Sequence, residues 1–216
     1  PTAWVENETN LGEDYEADLI PGWGRLGHEV TTDLYIDHLC DVMRALLPKL
    51  TREALVWVVL DDTPDAISSL QGIPWRFALQ VERLQWLYTC HWIHPDSDVV
   101  EKEAPHGPDK ASTPILVFGR EADYHQWAGQ RMPNWIAAPL PKIAKGLPFQ
   151  PLPAEVIGEI VLNSAPEGST VLDPMCGSGV VPAVAHSGVW NGIGFDIDEK
   201  ACKRAAKLCR SLRAVA

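Results

Sequence analysis

At 216 residues, 46% of them hydrophobic and 22% charged, the chain has room for one domain with a sizeable core. Its net charge of −11 argues against a protein that coats nucleic acid non-specifically, because such binding needs Lys and Arg to neutralise phosphates. No apolar run approaches the roughly 18 residues of a membrane span, the polar start PTAWVENETN is no signal peptide, and five cysteines without CxxC spacing point to a reducing, cytoplasmic compartment with no zinc site.

The first 28 residues have no clear period and read as an irregular, acidic segment. TTDLYIDHLCDVMRALLPKL then places Leu34, Ile36, Leu39, Val42, Met43 and Leu46 at the spacing of an amphipathic helix, with Thr31 or Thr32 as its N-cap. ALVWVVLDD, Ala54 to Asp62, is a β-branched run and predicts a buried strand. IPWRFALQVERL predicts a helix opened by Pro74, and LQWLYTCHWI, Leu84 to Ile93, a second strand. The charged, Pro-rich stretch that follows is a surface loop, TPILVFGRE a third strand, and Arg120 to Gln150 an irregular stretch with four prolines, Pro133, Pro139, Pro141 and Pro148.

The last part is regular again: LPAEVIGEIVLNSAP as helix, STVLD as strand, a glycine turn, a helix from Val180, NGIGFDID as strand and EKACKRAAKLCRSL as helix. Lys200, Lys203, Arg204, Lys207, Arg210 and Arg213 on that last helix read as a solvated face. Strands alternating with helices predict an α/β fold, a mostly parallel sheet covered on both faces. One domain spans 1–216, divided into an irregular segment 1–28, strands and helices over 29–120, a loop over 121–150 and a ligand-binding half over 151–216.

The ligand is read from VLDPMCGSGV. Asp173 ends its strand, Gly177 and Gly179 flank Ser178, and the next strand delivers Asp196, 19 residues after Gly177. That offset lets a carboxylate accept from both hydroxyls of a ribose. A dinucleotide fingerprint starting at Gly177 needs glycine at 182, where this chain has Pro182, and no Gly-Lys-Ser/Thr of a P-loop follows. A cofactor with a ribose and no phosphate fits better, which points to S-adenosylmethionine; a glycine-rich turn with no ligand is the plain alternative.

These motifs resemble the permuted, β-type DNA amino-methyltransferases, which act on N6 of adenine or N4 of cytosine. VLDPMCGSGVV is similar to that family's VLDPFxGSGTT, with Met175 for the usual Phe and Val180 for the usual Thr. GIGFDID resembles its ribose-binding strand, and PFQPLPAEVIGEIVLNSAPEGSTVLDP the segment leading into the cofactor motif. LGHEVTTDLYIDHLCDVMRALLPKL, ALVWVVLDD, GIPWRFALQ and LYTCHWIHP follow the family order, with His94 where lysine is usual. The likeness runs from Gly27 onward.

The resemblance implies a circularly permuted Rossmann-like methyltransferase sheet, with the catalytic half ahead of the cofactor half. It implies that Asp173, Pro174, Met175, Cys176, Gly177, Ser178 and Gly179 cradle the methionine end of S-adenosylmethionine, Asp196 holds the ribose, Ile197 packs on the adenine, and Phe149 and Gln150 line the other wall. Double-stranded DNA is the implied partner, with a homodimer as a further possibility and no metal or membrane. Lys142, Lys145, Trp127, Arg131 and Trp135 could meet DNA, or be surface residues and core tryptophans.

The family's catalytic Asp/Asn/Ser-Pro-Pro-aromatic motif is not intact, so no catalytic residue is assigned. Pro1 before Thr2 is one candidate remnant and ADLIPGW, Ala17 to Trp23, the other. The central strand that carries this motif is therefore expected to be lacking or degenerate. The alternatives to an active DNA methyltransferase are an inactive, cofactor-binding relative or an enzyme of the same sheet acting on RNA or protein.

Overall fold

The computed structural model describes residues 26–27, 29–63, 69–95, 111–120, 132–141 and 151–213. Helix α1 runs Thr32–Leu46, and Thr31 caps it: its Oγ accepts from the Leu34 N–H at 3.2 Å. Ile36, Leu39, Cys40 and Met43 form its buried face, the i, i+3, i+4, i+7 stripe that the sequence spacing predicts. A 3-10 turn, Leu47–Lys49, follows, and the Arg120 guanidinium donates to the Leu47 and Leu50 carbonyls there.

Strand β1 is Leu55–Val59 and helix α2 is Ile73–Gln80, with Pro74 in its first turn. Asp62 supplies the cap that Gly72 cannot: its carboxylate accepts from the N–H groups of Gly72 at 2.8 Å and Ile73 at 3.2 Å. Strands β2, Gln85–Ile93, β3, Ser112–Gly119, and β4, Trp135–Ala137, complete one sheet in the order β1-β3-β2-β4.

Within this sheet β1, β2 and β4 share a direction, and β3 runs antiparallel between β1 and β2. The expectation of a mostly parallel sheet holds for strand direction, but β3 departs from it. Residues 96–110, which join β2 and β3, lie outside the described residues, and their sequence carries no helical period of the kind a parallel crossover uses. The expectation of irregular structure across Arg120 to Gln150 is corrected at β4, which pairs in parallel with His91, Trp92 and Ile93.

Alternation along β3 builds two cores. Leu116 and Phe118 face α1 and α2, where Phe77 meets Phe118 edge to face at 5.7 Å; Ile115 and Val117 face the opposite layer. All four are fully buried, and each such side chain contributes about 1.5–3 kcal/mol. That second layer is helix α3, Ala154–Ser164, through Val156, Ile157, Ile160 and Val161.

The C-terminal part is a second, parallel sheet of two strands: β5, Thr170–Asp173, and β6, Asn191–Gly194. Helix α4, Val180–Ser187, packs on both strands, and helix α5, Glu199–Arg213, packs on α4. A Cβ at Gly192 would lie 2.5 Å from the Pro182 carbonyl oxygen, so this glycine is what lets α4 sit directly on β6. Ala201, Ala205 and Cys209 give α5 a small-residue face for close approach. Lys200, Lys203, Lys207 and Arg210 are exposed, as a solvated face requires, with Lys203 paired to Glu199 at 2.5 Å.

Candidate cofactor site

Two strand ends and one turn make the site. β5 ends in Asp173, whose carbonyl accepts from the Phe195 N–H at 2.9 Å just past β6. The chain folds back at once: the Asp173 carboxylate accepts from the Met175 N–H at 3.0 Å, and the Cys176 N–H donates to the Phe195 carbonyl at 2.7 Å. Gly177 and Gly179 then take left-handed φ angles of +47° and +82°, a region that costs an L side chain roughly 1–2 kcal/mol. Gly179 is the N-cap of α4.

Asp196 closes the turn from the other side. Its Oδ2 accepts from the Gly177 N–H at 2.8 Å and its Oδ1 from the Asp198 N–H at 2.9 Å. Each oxygen keeps a further lone-pair direction for a ligand hydroxyl. The result is an open cleft of about 290 Å³ at the carboxyl ends of β5 and β6, where ligands bind in sheets of this kind.

Asp173, Met175, Cys176, Gly177, Ser178 and Asp196 line this cleft, joined by Pro151, Leu152, Val180 and Val181. Among the described residues the lining holds two carboxylates and no Lys or Arg. Such a lining repels a pyrophosphate and favours a cationic ligand that carries a ribose.

A family model described as DNA methylase matches residues 24–207, most of the chain. The chain belongs to this DNA methylase family. Among individual proteins, it is 24% identical over 163 residues to the type II methyltransferase M.Cfr9I of Citrobacter freundii. That match takes in 70% of this chain but spans only 54% of the relative's length. It is 21% identical over 234 aligned positions to the type II methyltransferase M.XycI of Xanthomonas campestris pv. cyanopsidis, covering 86% of this chain and 77% of that one.

Solved structures share the fold. The cytosine-N4-specific PvuII DNA methyltransferase superposes with a TM-score of 0.69 at 13% identity, covering 85% of this chain and 76% of that one. A Thermus thermophilus protein in complex with S-adenosyl-L-methionine gives a TM-score of 0.65 at 17% identity, covering 88% of this chain and 83% of that one. The Rossmann-like α/β methyltransferase architecture is thereby shown.

Within this DNA methylase family member, the environment of the cleft is acidic and partly dry. Burial pushes the Asp173 carboxyl above the usual carboxylate range, and the neighbouring Asp196 adds to the push against the Met175 N–H. Burial, together with the charges of Asp173 and Asp196, drives the Cys176 thiol up to about 12. Cys176 is 5% exposed, and its Sγ would lie 3.0 Å from a Cβ added at Gly194, so it fills the floor of the turn.

The remaining expectations divide three ways. Pro174 and Gly179 belong to the turn without lining the cleft, and Ile197 is 78% exposed and lies outside the lining. Phe149 and Gln150 fall outside the described residues, as do Pro1, ADLIPGW, Trp127, Arg131, Lys142 and Lys145. Trp135 is 51% exposed on β4. Pro151, Leu152, Val180 and Val181 escaped the sequence reading, because apolar lining residues look like any others; the only signal was the proline run ahead of α3.

Among the described residues, no three His, Cys, Asp or Glu side chains gather as a metal ion would require, and no helix is long and apolar enough to cross a membrane.

Proposed function

We propose that this protein serves transfer of a methyl group from S-adenosylmethionine to the exocyclic amine of adenine or cytosine in double-stranded DNA. The observation that carries the reading is the lining of the cleft among the described residues: two carboxylates, and a glycine turn tied to the acid that would hold a ribose.

The residues present fit that cofactor. Asp196 would accept from the ribose hydroxyls, its carboxylate already held in place by two N–H groups. Asp173 and Asp196 together give the negative potential that a sulfonium and an ammonium require. The N-terminal end of α4 suits the cofactor's carboxylate, and Leu152, Val180 and Val181 exclude water from one side. When bound, the cofactor supplies an electrophilic methyl group on sulfur, so most of the catalytic work left to the protein is positioning. A target base must leave the duplex to reach such a cleft.

All five cysteines are free, which supports a reducing, cytoplasmic setting. The same reading extends to a homodimer, which light scattering checks.

The deciding experiment follows labelled methyl from S-adenosylmethionine into mixed-sequence double-stranded DNA and reads cofactor retention on the same sample. The expected result is retention of cofactor by the chain and label in the DNA. A folded sample that retains no cofactor overturns the reading. Retention with no transfer under any condition would leave a cofactor-binding module.

A further inference from the structure

The chain carries 29 acidic residues against 18 basic ones, yet six of those 18 fall on α5, a helix of 15 residues whose one acid, Glu199, opens it. Lys200, Lys203, Lys207 and Arg210 are exposed. At 3.6 residues per turn they fall within about a quarter of the helix circumference and form a stripe about 15 Å long. The stripe faces away from Ala201, Ala205 and Cys209, the buried side of α5.

The stripe costs the helix something. Lys200 and Lys203, Lys203 and Lys207, and Lys207 and Arg210 stand three or four residues apart, the separations at which like charges repel along a helix. Glu199 relieves Lys203 at 2.5 Å, and the half-buried Arg204 reaches Asp198 at 3.8 Å. Among the described residues Lys200, Lys207 and Arg210 have no carboxylate partner. A face built for solvation alone would alternate its signs, and this chain has acids to spare. One sign held along one line suits a polyanion whose own charges lie along a line.

The place of the stripe narrows the choice of polyanion. The Asp198 N–H donates to Asp196 Oδ1 at 2.9 Å, the Cys202 thiol donates to the Asp196 carbonyl at 3.4 Å, and the Lys200 N–H donates to Asp198 at 2.9 Å. The first cation of the stripe therefore stands beside the cofactor cleft. The two carboxylates of the cleft repel phosphates, so the phosphates of a DNA substrate must be held outside it. Each strand of a duplex offers a charge about every 3.4 Å along its axis, and the stripe spans about four of them. A lipid surface fits poorly, because a helix that lies on a membrane buries its apolar face, and that face of α5 is already against α4.

We propose that Lys200, Lys203, Lys207 and Arg210 form a rail for the phosphates of duplex DNA that flank the target base. This rests on the function proposed above and adds where the duplex is gripped: by charge, outside the cleft, with no reading of sequence.

The test titrates the full chain into labelled mixed-sequence duplex over a range of potassium chloride concentrations, reading fluorescence anisotropy, with cofactor retention and Tm on the same preparations. One variant combines Lys200→Gln, Lys207→Gln and Arg210→Gln. Its plot of log affinity against log salt should be shallower than the parent's by about one unit per charge removed, with retention and Tm kept. The control combines Lys49→Gln and Arg83→Gln, two exposed cations ahead of the amino ends of β1 and β2. Its slope should match the parent's.

A stripe variant with the parent's slope would overturn the proposal, since the face is then solvated or already held by another acidic surface. A control that loses as much slope per charge would overturn it too, because the duplex would then sense overall charge and no particular face. So would a chain that retains cofactor and binds no duplex. A slope that depends on the stripe, in a chain that retains no cofactor, would sink the methyl-transfer reading and leave the phosphate rail standing.

Discussion

The Gly177 N–H donates to Asp196 Oδ2 at 2.8 Å, joining the first glycine of the turn to the acid 19 residues further on. Spacing alone places these two at the ends of adjacent strands; the bond makes them one unit. The acid is oriented before any ligand arrives, and the turn needs the acid to keep its shape.

Substituting Asp196→Ala should therefore do two things. Loss of two charge-assisted hydrogen bonds to a ribose, each about 1.5–3 kcal/mol, raises the Kd for S-adenosylmethionine by on the order of a hundredfold or more. The Gly177 and Asp198 N–H groups also lose their acceptor, so a small drop in Tm accompanies it. Calorimetric titration and thermal melts on one preparation check both. An affinity within about threefold of the parent chain would remove Asp196 from the cofactor site.

Asp173 predicts a dependence on pH. Its folded pKa is raised, by burial first and by Asp196 next, so the native chain binds a proton that the unfolded chain has released. Its ionisation therefore costs stability, and the cost grows as pH rises from the ordinary carboxylate range through the raised value. Asp173→Asn should flatten that decline in Tm above the carboxylate range. Cofactor binding should respond in the opposite sense: affinity for the cationic ligand falls as pH drops through the same window and Asp173 takes up its proton. Affinity that does not change across that window would detach Asp173 from the cofactor.

Much of this was legible in the sequence because local rules and tertiary demands agree. Thr31 caps α1 and the stripe from Ile36 to Met43 is buried, since a 3.6-residue period has one reading. The turn from Asp173 to Gly179 and its partner Asp196 come together because two short parallel strands leave little freedom at their ends. β4 was not legible: three residues between Pro133 and Pro139 are too few to display alternation. The antiparallel insertion of β3 depends on which edge β2 offers, a tertiary fact with no local signature. Ile197, expected against an adenine, lies beyond the end of β6 with its side chain exposed, where a bound ligand could reach it.

Gly179 should tolerate no side chain. A Cβ there would lie 2.4 Å from the Ala205 Cβ and 2.5 Å from its Cα, at a φ of +82°. Gly179→Ala must push α5 away from α4 as well as strain the backbone, and a loss of at least about 2 kcal/mol follows. Adding Ala205→Gly removes the clash between side chains but leaves the φ penalty and the close approach of the α5 backbone, so the double variant should recover only part of the loss. Chemical denaturation measures each step. Full recovery would mean that packing alone, and not the left-handed conformation, demands a glycine.

Cys176 offers a check on the turn that needs no ligand. A thiol moved from its ordinary 9.0 up to about 12 has roughly a thousandth of the usual thiolate population at mildly alkaline pH, and at 5% exposure it is also shielded from reagents. Iodoacetamide should leave Cys176 unmodified in the native chain and label it readily after denaturation, as peptide mapping by mass spectrometry would show. The two causes separate in Asp173→Asn, which removes one of the two carboxylate charges that disfavour the thiolate while burial is kept. Labelling that stays slow in this variant assigns the protection to burial beside Gly194; labelling that speeds up assigns it to the acidic field of Asp173 and Asp196.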